Sequence, residues 1–125
     1  MVRKRHNSTK SAPFTAVTKE LINSLEDRLT NSDEEVRRQA VAAVLNVPDE
    51  EFHWCLAERL VARLAGDDDA LGQRAAASLT EMGPAATGPL ILRHHKARSK
   101  ALQKRLCEVF LRIVDMREQA KRAAI

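Results

Sequence analysis

Hydrophobic residues recur along the chain at steps of three and four positions, which places each set on one face of a helix. The sets are Leu21, Ile22, Leu25 and Leu29; Val36, Ala40, Val41 and Val44; Leu56, Leu60, Val61 and Leu64; Leu71, Ala75, Leu79 and Met82; and Leu90 and Ile91, followed by Leu102, Leu106, Phe110, Ile113 and Val114. No window alternates with period two for long enough to predict a strand. The pattern therefore predicts an all-α fold.

Capping and breaking residues divide this pattern into separate helices. Asn31-Ser32-Asp33 supplies side-chain oxygens that suit a helix start, and Pro48 lacks the N–H that a continuing helix would use. Gly66 and Gly83 suit helix ends. The predicted helices span about 14–30, 33–46, 50–65, 69–82, 85–96 and 99–114, with residues 115–125 extending the last one. Residues 1–13 form a basic arm that we expect to be disordered.

The predicted helices repeat in pairs. A shift of 35 positions aligns apolar or capping residues of the first pair with the second, and a further shift of 31 aligns the fourth helix with the sixth. The aligned positions are Leu21 and Leu56, Leu25 and Leu60, Leu29 and Leu64, Asp33 and Asp68, Val36 and Leu71, Ala40 and Ala75, Val44 and Leu79, then Leu71 and Leu102, Ala75 and Leu106, Leu79 and Phe110. This period, with two helices per unit, predicts an α-solenoid of about three antiparallel helix pairs over residues 14–114.

Two segments resemble a known repeat family. Residues 31–44 resemble the second helix of a HEAT repeat, and residues 82–91 are similar to the turn and first helix of bacterial HEAT-like repeats, the type also found in phycobilisome lyases. The resemblance covers residues 17–114 and implies an α–α superhelix whose second helices line a concave face. Asp33 and Arg37 match a ladder that the family forms between repeats. Gly72 and Gln103 stand in the arginine position of the next two units, so the ladder is interrupted.

Charge is distributed unevenly along the 125 residues. The 21 basic and 17 acidic side chains give a net charge of +4, but residues 1–18 carry +4, residues 19–81 carry −7 and residues 82–125 carry +7. Both ends are therefore basic around an acidic middle, and this arrangement bears on partners more than the total does.

A basic segment is the strongest candidate site. It spans residues 93–105, contains no acid, and carries Arg93, His94, His95, Lys96, Arg98, Lys100, Lys104 and Arg105 around the last predicted turn. Such a segment suits phosphate or carboxylate groups, although basic residues at a helix end also complement the helix dipole. Arg38, Arg74 and Lys104 with Arg105 occupy equivalent repeat positions, and the resemblance implies a basic stripe there on the concave face.

The sequence lacks the patterns of catalytic and cofactor sites. It has no nucleophile elbow and no phosphate-binding glycine loop, so we expect no enzymatic activity, no cofactor and no small-molecule substrate. Asp67-Asp68-Asp69 is interpreted as a helix cap, and His53-Trp54-Cys55 matches no zinc-ligand spacing, so no metal is expected. Cys55 and Cys107 lie in apolar stripes and are predicted to be free, buried thiols of a cytoplasmic protein. Trp54 either packs between repeats or anchors a partner.

Three hypotheses follow for function. The first is a non-enzymatic interaction module that binds a protein partner through its concave face and its C-terminal end. The last helix is apolar on too wide a face for a cap, so either residues 115–125 fold back over it or another subunit covers it. The alternative is binding of a nucleic-acid backbone through residues 93–105 and the N-terminal arm, which the acidic middle opposes. The third is head-to-tail self-association of the basic end with the acidic middle. No apolar run reaches the roughly 20 residues that a membrane span needs, so no membrane is expected.

Overall fold

A computed structural model describes residues 19–124, and within this range all regular structure is helical. The predicted all-α fold is thus confirmed. The helices are α1 (19–29), α2 (Glu34–Asn46), α3 (Glu50–Leu64), α4 (Asp69–Met82), α5 (Pro84–Lys96) and α6 (Lys100–Ala124). The bounds of α2 to α5 agree with the prediction to within one residue. The predicted N-terminal arm, residues 1–13, and the start of the first predicted helix lie outside the described residues.

Aspartate side chains begin three of the helices. Asp33 Oδ1 accepts a hydrogen bond from the Glu35 amide at 2.9 Å, and Asp68 Oδ1 accepts one from the Leu71 amide at 3.0 Å. Asp49 accepts from two amides at the start of α3. These bonds satisfy backbone donors that have no partner inside the helix, and the charge is favourable at that end. The capping interpretation of Asp67-Asp68-Asp69 is confirmed at Asp68.

A single residue, Gly83, connects α4 to α5. Its φ of +67° lies in the left-handed region, which side chains other than glycine rarely adopt. Its amide bonds back to the carbonyls of Leu79 and Thr80, closing α4, and α5 begins at the next residue with Pro84. Proline is suited to this first helical position because its missing N–H would have no partner there.

Helices contact both their chain neighbours and the helix two places further on. Contacts join α2 with α4, α3 with α5, and α4 with α6, and each of α2 to α5 also contacts the next helix in the chain. Ser78 of α4 donates a hydrogen bond to the carbonyl of Leu29, the last residue of α1, at 2.5 Å. Side chains that are almost fully buried form one core, including Leu29, Val44, Leu56, Leu60, Leu79, Leu90, Leu106 and Ile113.

Several side chains have an exposure that the sequence did not predict. Leu21, Ile91 and Val114 were assigned to apolar stripes but are 47%, 56% and 40% exposed, because no helix of the described chain covers these positions. Cys107 is exposed rather than buried, and Cys55 is half-buried; both thiols are free. Glu26 of α1, a charged residue of a type that is mostly exposed in proteins, is only 6% exposed.

The C-terminal residues continue α6 rather than folding back. The helix has 25 residues and runs without a break to Ala124, and only Leu106, Val109 and Ile113 of it are buried. The hypothesis that residues 115–125 cover the apolar side of the last helix is therefore wrong as far as Ala124. Within residues 19–124, no helix is both long enough and apolar enough to cross a membrane.

Candidate interaction site

A groove of about 550 Å³ runs between α4 and α6. Its lining combines apolar and charged side chains: Leu64, Gly72, Ala76 and Val109 on one hand, and Asp69, Gln73, Arg105, Glu108 and Arg112 on the other. Gly72 borders the groove, and a methyl group there would meet the Arg63 carbonyl oxygen at 3.6 Å and Leu64 Cα at 4.0 Å, which are ordinary contact distances. We call it the α4–α6 groove.

Two of the predicted site arginines, Arg38 and Arg105, make ion pairs or hydrogen bonds within the chain. Arg105 donates from Nη1 to the Leu64 carbonyl at 3.1 Å, and its Nη2 lies 3.6 Å from Asp69 Oδ1. Arg38 pairs with Glu34 at 3.2 Å and with Glu81 of α4 at 3.7 Å. These two arginines therefore connect neighbouring helices, and their charge is largely matched by nearby carboxylates.

The predicted basic stripe is not one continuous patch. Arg38 contacts α4 at Glu81 and Arg105 contacts it at Asp69, twelve residues apart along the helix, which is roughly 18 Å at the rise of an α-helix. Arg74 lies between them on α4, half-buried and without an ion pair to any residue in 19–124. The equivalent repeat positions are therefore separated in the structure. A carboxylate lies beside Arg38, and another lies beside Arg105.

The rest of the basic segment is open to solvent. Arg93, His94, His95 and Lys96 form the last turn of α5, Arg98 lies in the connection, and Lys100 and Lys104 begin α6. All seven side chains are exposed, and none makes an ion pair with another residue of the described range. The dipole of α5 favours positive charge at its C-terminal end, where the four residues of its last turn lie. The structure therefore brings together seven of the ten predicted site residues.

A second, smaller groove lies between α5 and α6 at the C-terminal end of the helix array. It measures about 180 Å³ and is lined by Leu90, Ile91, His94, Leu106, Cys107 and Phe110. Apolar side chains around it remain in water: Ile91 is 56% exposed and Leu111 is 57% exposed. We define the terminal face as Ile91, Cys107, Leu111 and Val114. Exposed apolar residues grouped in this way are typical of interaction surfaces.

The sequence interpretation missed a buried charge cluster between α1 and α3. Glu26 Oε1 lies 3.0 Å from Arg59 Nη1, and Glu26 Oε2 lies 2.6 Å from Arg63 Nη2. The hydrogen bond to Glu26 raises the pKa of Arg59 above its usual value. One signal was available in the sequence: Glu26 follows Ile22 by four residues and precedes Leu29 by three, which is the spacing of the buried face.

Trp54 packs between α3 and α5, as one of the two alternatives for it predicts, and remains partly exposed. The edge of its ring lies against the α5 backbone at Gly88, where an added methyl group would come within 2.3 Å of Cζ3, yet the residue is 40% exposed. Gly88 therefore provides the space into which the ring packs. Trp54 joins α3 to α5 and still presents part of its surface to solvent.

The described residues form no metal-binding cluster: in 19–124 no three His, Cys, Asp or Glu side chains gather closely enough to hold an ion. Comparison with known proteins finds no matching family model, no matching curated protein and no matching solved structure.

Proposed function

We propose that this protein is a non-enzymatic interaction module built as a HEAT-like α-solenoid of three helix pairs, α1–α2, α3–α4 and α5–α6. The contacts between each helix and the next but one support this arrangement, because stacked pairs bring α2, α4 and α6 side by side. The module binds a protein partner through the face formed by these three helices and through its C-terminal end. Its two free thiols suit the reducing cytoplasm.

The α4–α6 groove is the observation that carries this proposal. It is large enough to take several side chains, and its lining is partly apolar. Arg105, Glu108 and Arg112 of α6 share the lining with Asp69 of α4, so two basic and two acidic side chains balance its charge. A polyanion would meet repulsion from the two carboxylates, whereas a polypeptide segment with apolar and oppositely charged side chains can match both signs.

The first test replaces groove residues and measures binding to a partner identified by crosslinking from a photoreactive residue at Gln73. Arg112→Glu reverses a charge in the lining, and Gly72→Leu fills the groove. Each should weaken binding of the purified partner about tenfold or more, because both remove complementarity at a buried contact. Isothermal titration calorimetry gives the affinities.

Lys121→Glu is the matched control, since it reverses an exposed charge on α6 outside the groove. It should leave the affinity within about twofold of the original protein. If a partner crosslinked at Gln73 binds all three variants equally, the groove is not the binding site and the proposal is wrong. Circular dichroism of each variant separates lost binding from lost folding.

Binding of a nucleic-acid backbone is the second candidate function. The basic segment favours it, because seven of its basic side chains are exposed and make no ion pair within residues 19–124. The chain has only three phenylalanines and one tryptophan, so stacking on bases is disfavoured and phosphate contacts would dominate. The net charge of −7 over residues 19–81 opposes this function.

The second test titrates labelled duplex and single-stranded nucleic acid by fluorescence anisotropy at increasing salt. Bound phosphates should give a steep decrease of affinity with salt, and the Arg98→Glu, Lys100→Glu, Lys104→Glu triple variant should abolish binding. Arg105 is left intact because it holds the Leu64 carbonyl and its loss would perturb folding. No retention even at low salt would eliminate this function.

A further inference from the structure

The α6 residues of the terminal face lie along one line of that helix, whereas Ile91 joins the face from α5. Lys104, Cys107, Leu111, Val114 and Glu118 follow one another at steps of three and four residues, and all five are exposed. This is the spacing of a coiled-coil seam. It is separate from the buried stripe of Leu106, Val109 and Ile113, which packs against the rest of the chain. Helix α6 therefore presents two apolar stripes, one of which has no partner within residues 19–124.

Charge along this line changes sign about Leu111. Lys104 precedes Leu111 by seven residues, and Glu118 follows it by seven. If a second α6 runs antiparallel with a two-fold axis at Leu111, Lys104 of each copy lies opposite Glu118 of the other. The only ion pair of Glu118 within the described range is an exposed one with Lys121 at 3.9 Å, which leaves it accessible.

Other charges on this side of α6 do not contradict the arrangement. Asp115, four residues beyond Leu111, would lie opposite Cys107 of the other copy, and Glu108, three residues before Leu111, would lie opposite Val114; both carboxylates are exposed and flank the line. Lys100 and Arg122, each eleven residues from Leu111, would face each other at the outer ends, where solvent and salt screen their repulsion. Antiparallel helices also place opposite ends of their dipoles together.

We propose that two copies of this chain associate through their terminal faces, with the two α6 helices antiparallel and Leu111 at the two-fold axis. This inference rests on the proposed interaction function and names a second copy as the partner at the C-terminal end. Such a contact is closed, because the same surface is used by both copies. It would cover Leu111, Val114 and the small α5–α6 groove at once.

Light scattering after gel filtration, over a wide range of protein concentration, tests the pairing. The full chain should reach the mass of a dimer. Leu111→Glu should weaken dimerisation about a hundredfold or more, because it brings two carboxylates together at the axis. Met116→Glu is the matched control: Met116 is 46% exposed on the same helix but lies off the line, so its variant should dimerise normally.

A charge exchange tests the orientation. Lys104→Glu alone and Glu118→Lys alone should each weaken the dimer about tenfold, since the two-fold axis repeats each like-charge contact twice. The double variant should recover the original affinity. In a Cys107→Ser background, Leu111→Cys should form a disulfide between copies under mild oxidation.

A chain that stays monomeric at every concentration overturns the inference, as does a dimer that is insensitive to Leu111→Glu or a double variant that fails to recover. Mass that keeps growing with concentration would instead indicate open head-to-tail association and also overturn it. Arg112→Glu lies in the α4–α6 groove and should leave the dimer intact. A monomeric protein therefore refutes this pairing alone, and the groove is judged by its own partner-binding test.

Discussion

At the scale of single residues, Glu26 is the most constrained charge in the described chain. Its carboxylate is buried, and both oxygens are bound by arginines of α3 whose outer parts reach water. Removing a charge from solvent is costly unless it is fully hydrogen-bonded, and Arg59 and Arg63 supply those bonds. Glu26 thus acts as a polar link between α1 and α3, beside a second one in which Arg59 donates a hydrogen bond to Asn23 Oδ1 at 2.7 Å.

Glu26→Gln should destabilise the protein by about 2 kcal/mol, because the neutral amide keeps the volume but loses two charge-assisted hydrogen bonds. Chemical denaturation followed by circular dichroism measures the change. Glu20→Gln, an exposed glutamate on the same helix, is the control and should cost less than about 0.5 kcal/mol. Equal effects of the two substitutions would show that the buried cluster adds no stability.

The raised pKa of Arg59 sets the sign of the pH dependence at this site. Because the folded chain holds the proton more tightly than the unfolded chain, the stabilisation is fully present below the unfolded pKa. It is lost only as pH rises through the raised folded value, in strongly alkaline solution. Near neutral pH the Arg59 contribution is therefore constant.

At the scale of elements, two glycines inside helices have opposite surroundings. Gly88 of α5 faces the ring of Trp54, and an added methyl group would lie 2.3 Å from it. Gly72 of α4 borders the open groove, and its nearest neighbours would be at ordinary contact distance. Glycine lowers helix stability at both places, but only at Gly88 does packing between helices require it.

The same substitution should therefore change stability in opposite directions at the two positions. Gly72→Ala should stabilise the protein by roughly 0.5–1 kcal/mol through helix propensity. Gly88→Ala should destabilise it by about 1 kcal/mol, since overpacking outweighs that gain. Trp54 is the single tryptophan of the chain, so its fluorescence reports the displacement directly. Emission should shift to the red in Gly88→Ala alone; an unshifted spectrum would show that the ring does not rest on Gly88.

At the scale of the whole molecule, three surfaces offer different chemistry to a partner. The α4–α6 groove has balanced charge, the basic segment is positive, and the terminal face is apolar. Apart from Arg105, the α4–α6 groove shares no residue with the other two, whereas Lys100 and Lys104 belong to the basic segment and also lie on the line of α6 that carries the terminal face. Arg112→Glu and Leu111→Glu therefore form a pair whose partner-binding and mass measurements can be compared on one folded protein. The basic-segment triple variant should also weaken the dimer, because it replaces Lys104.

Helix positions followed from the sequence because they depend on local chemistry. The three- and four-residue steps around Leu56, Leu60 and Leu64 identify a buried face, and Asp68 and Gly83 identify helix ends without reference to distant residues. The basic segment was also predictable, since charge and its position along the chain are properties of the sequence. Seven of its side chains are exposed and make no ion pair in the part of the chain that the structure describes, which is what neighbouring like charges with no acid between them favour.

The sequence by itself determined the all-α class, the helix bounds and the position of the basic segment. Only the tertiary structure decided which apolar and charged positions are covered. Leu21 and Val114 have the same local spacing as Leu56, but no neighbouring helix of the described chain lies over them. Glu26 is buried, and Arg38 and Arg105 are held by acids, because helices distant in sequence bring the partners across. Periodicity defines a face of a helix, whereas burial and pairing depend on what packs against it.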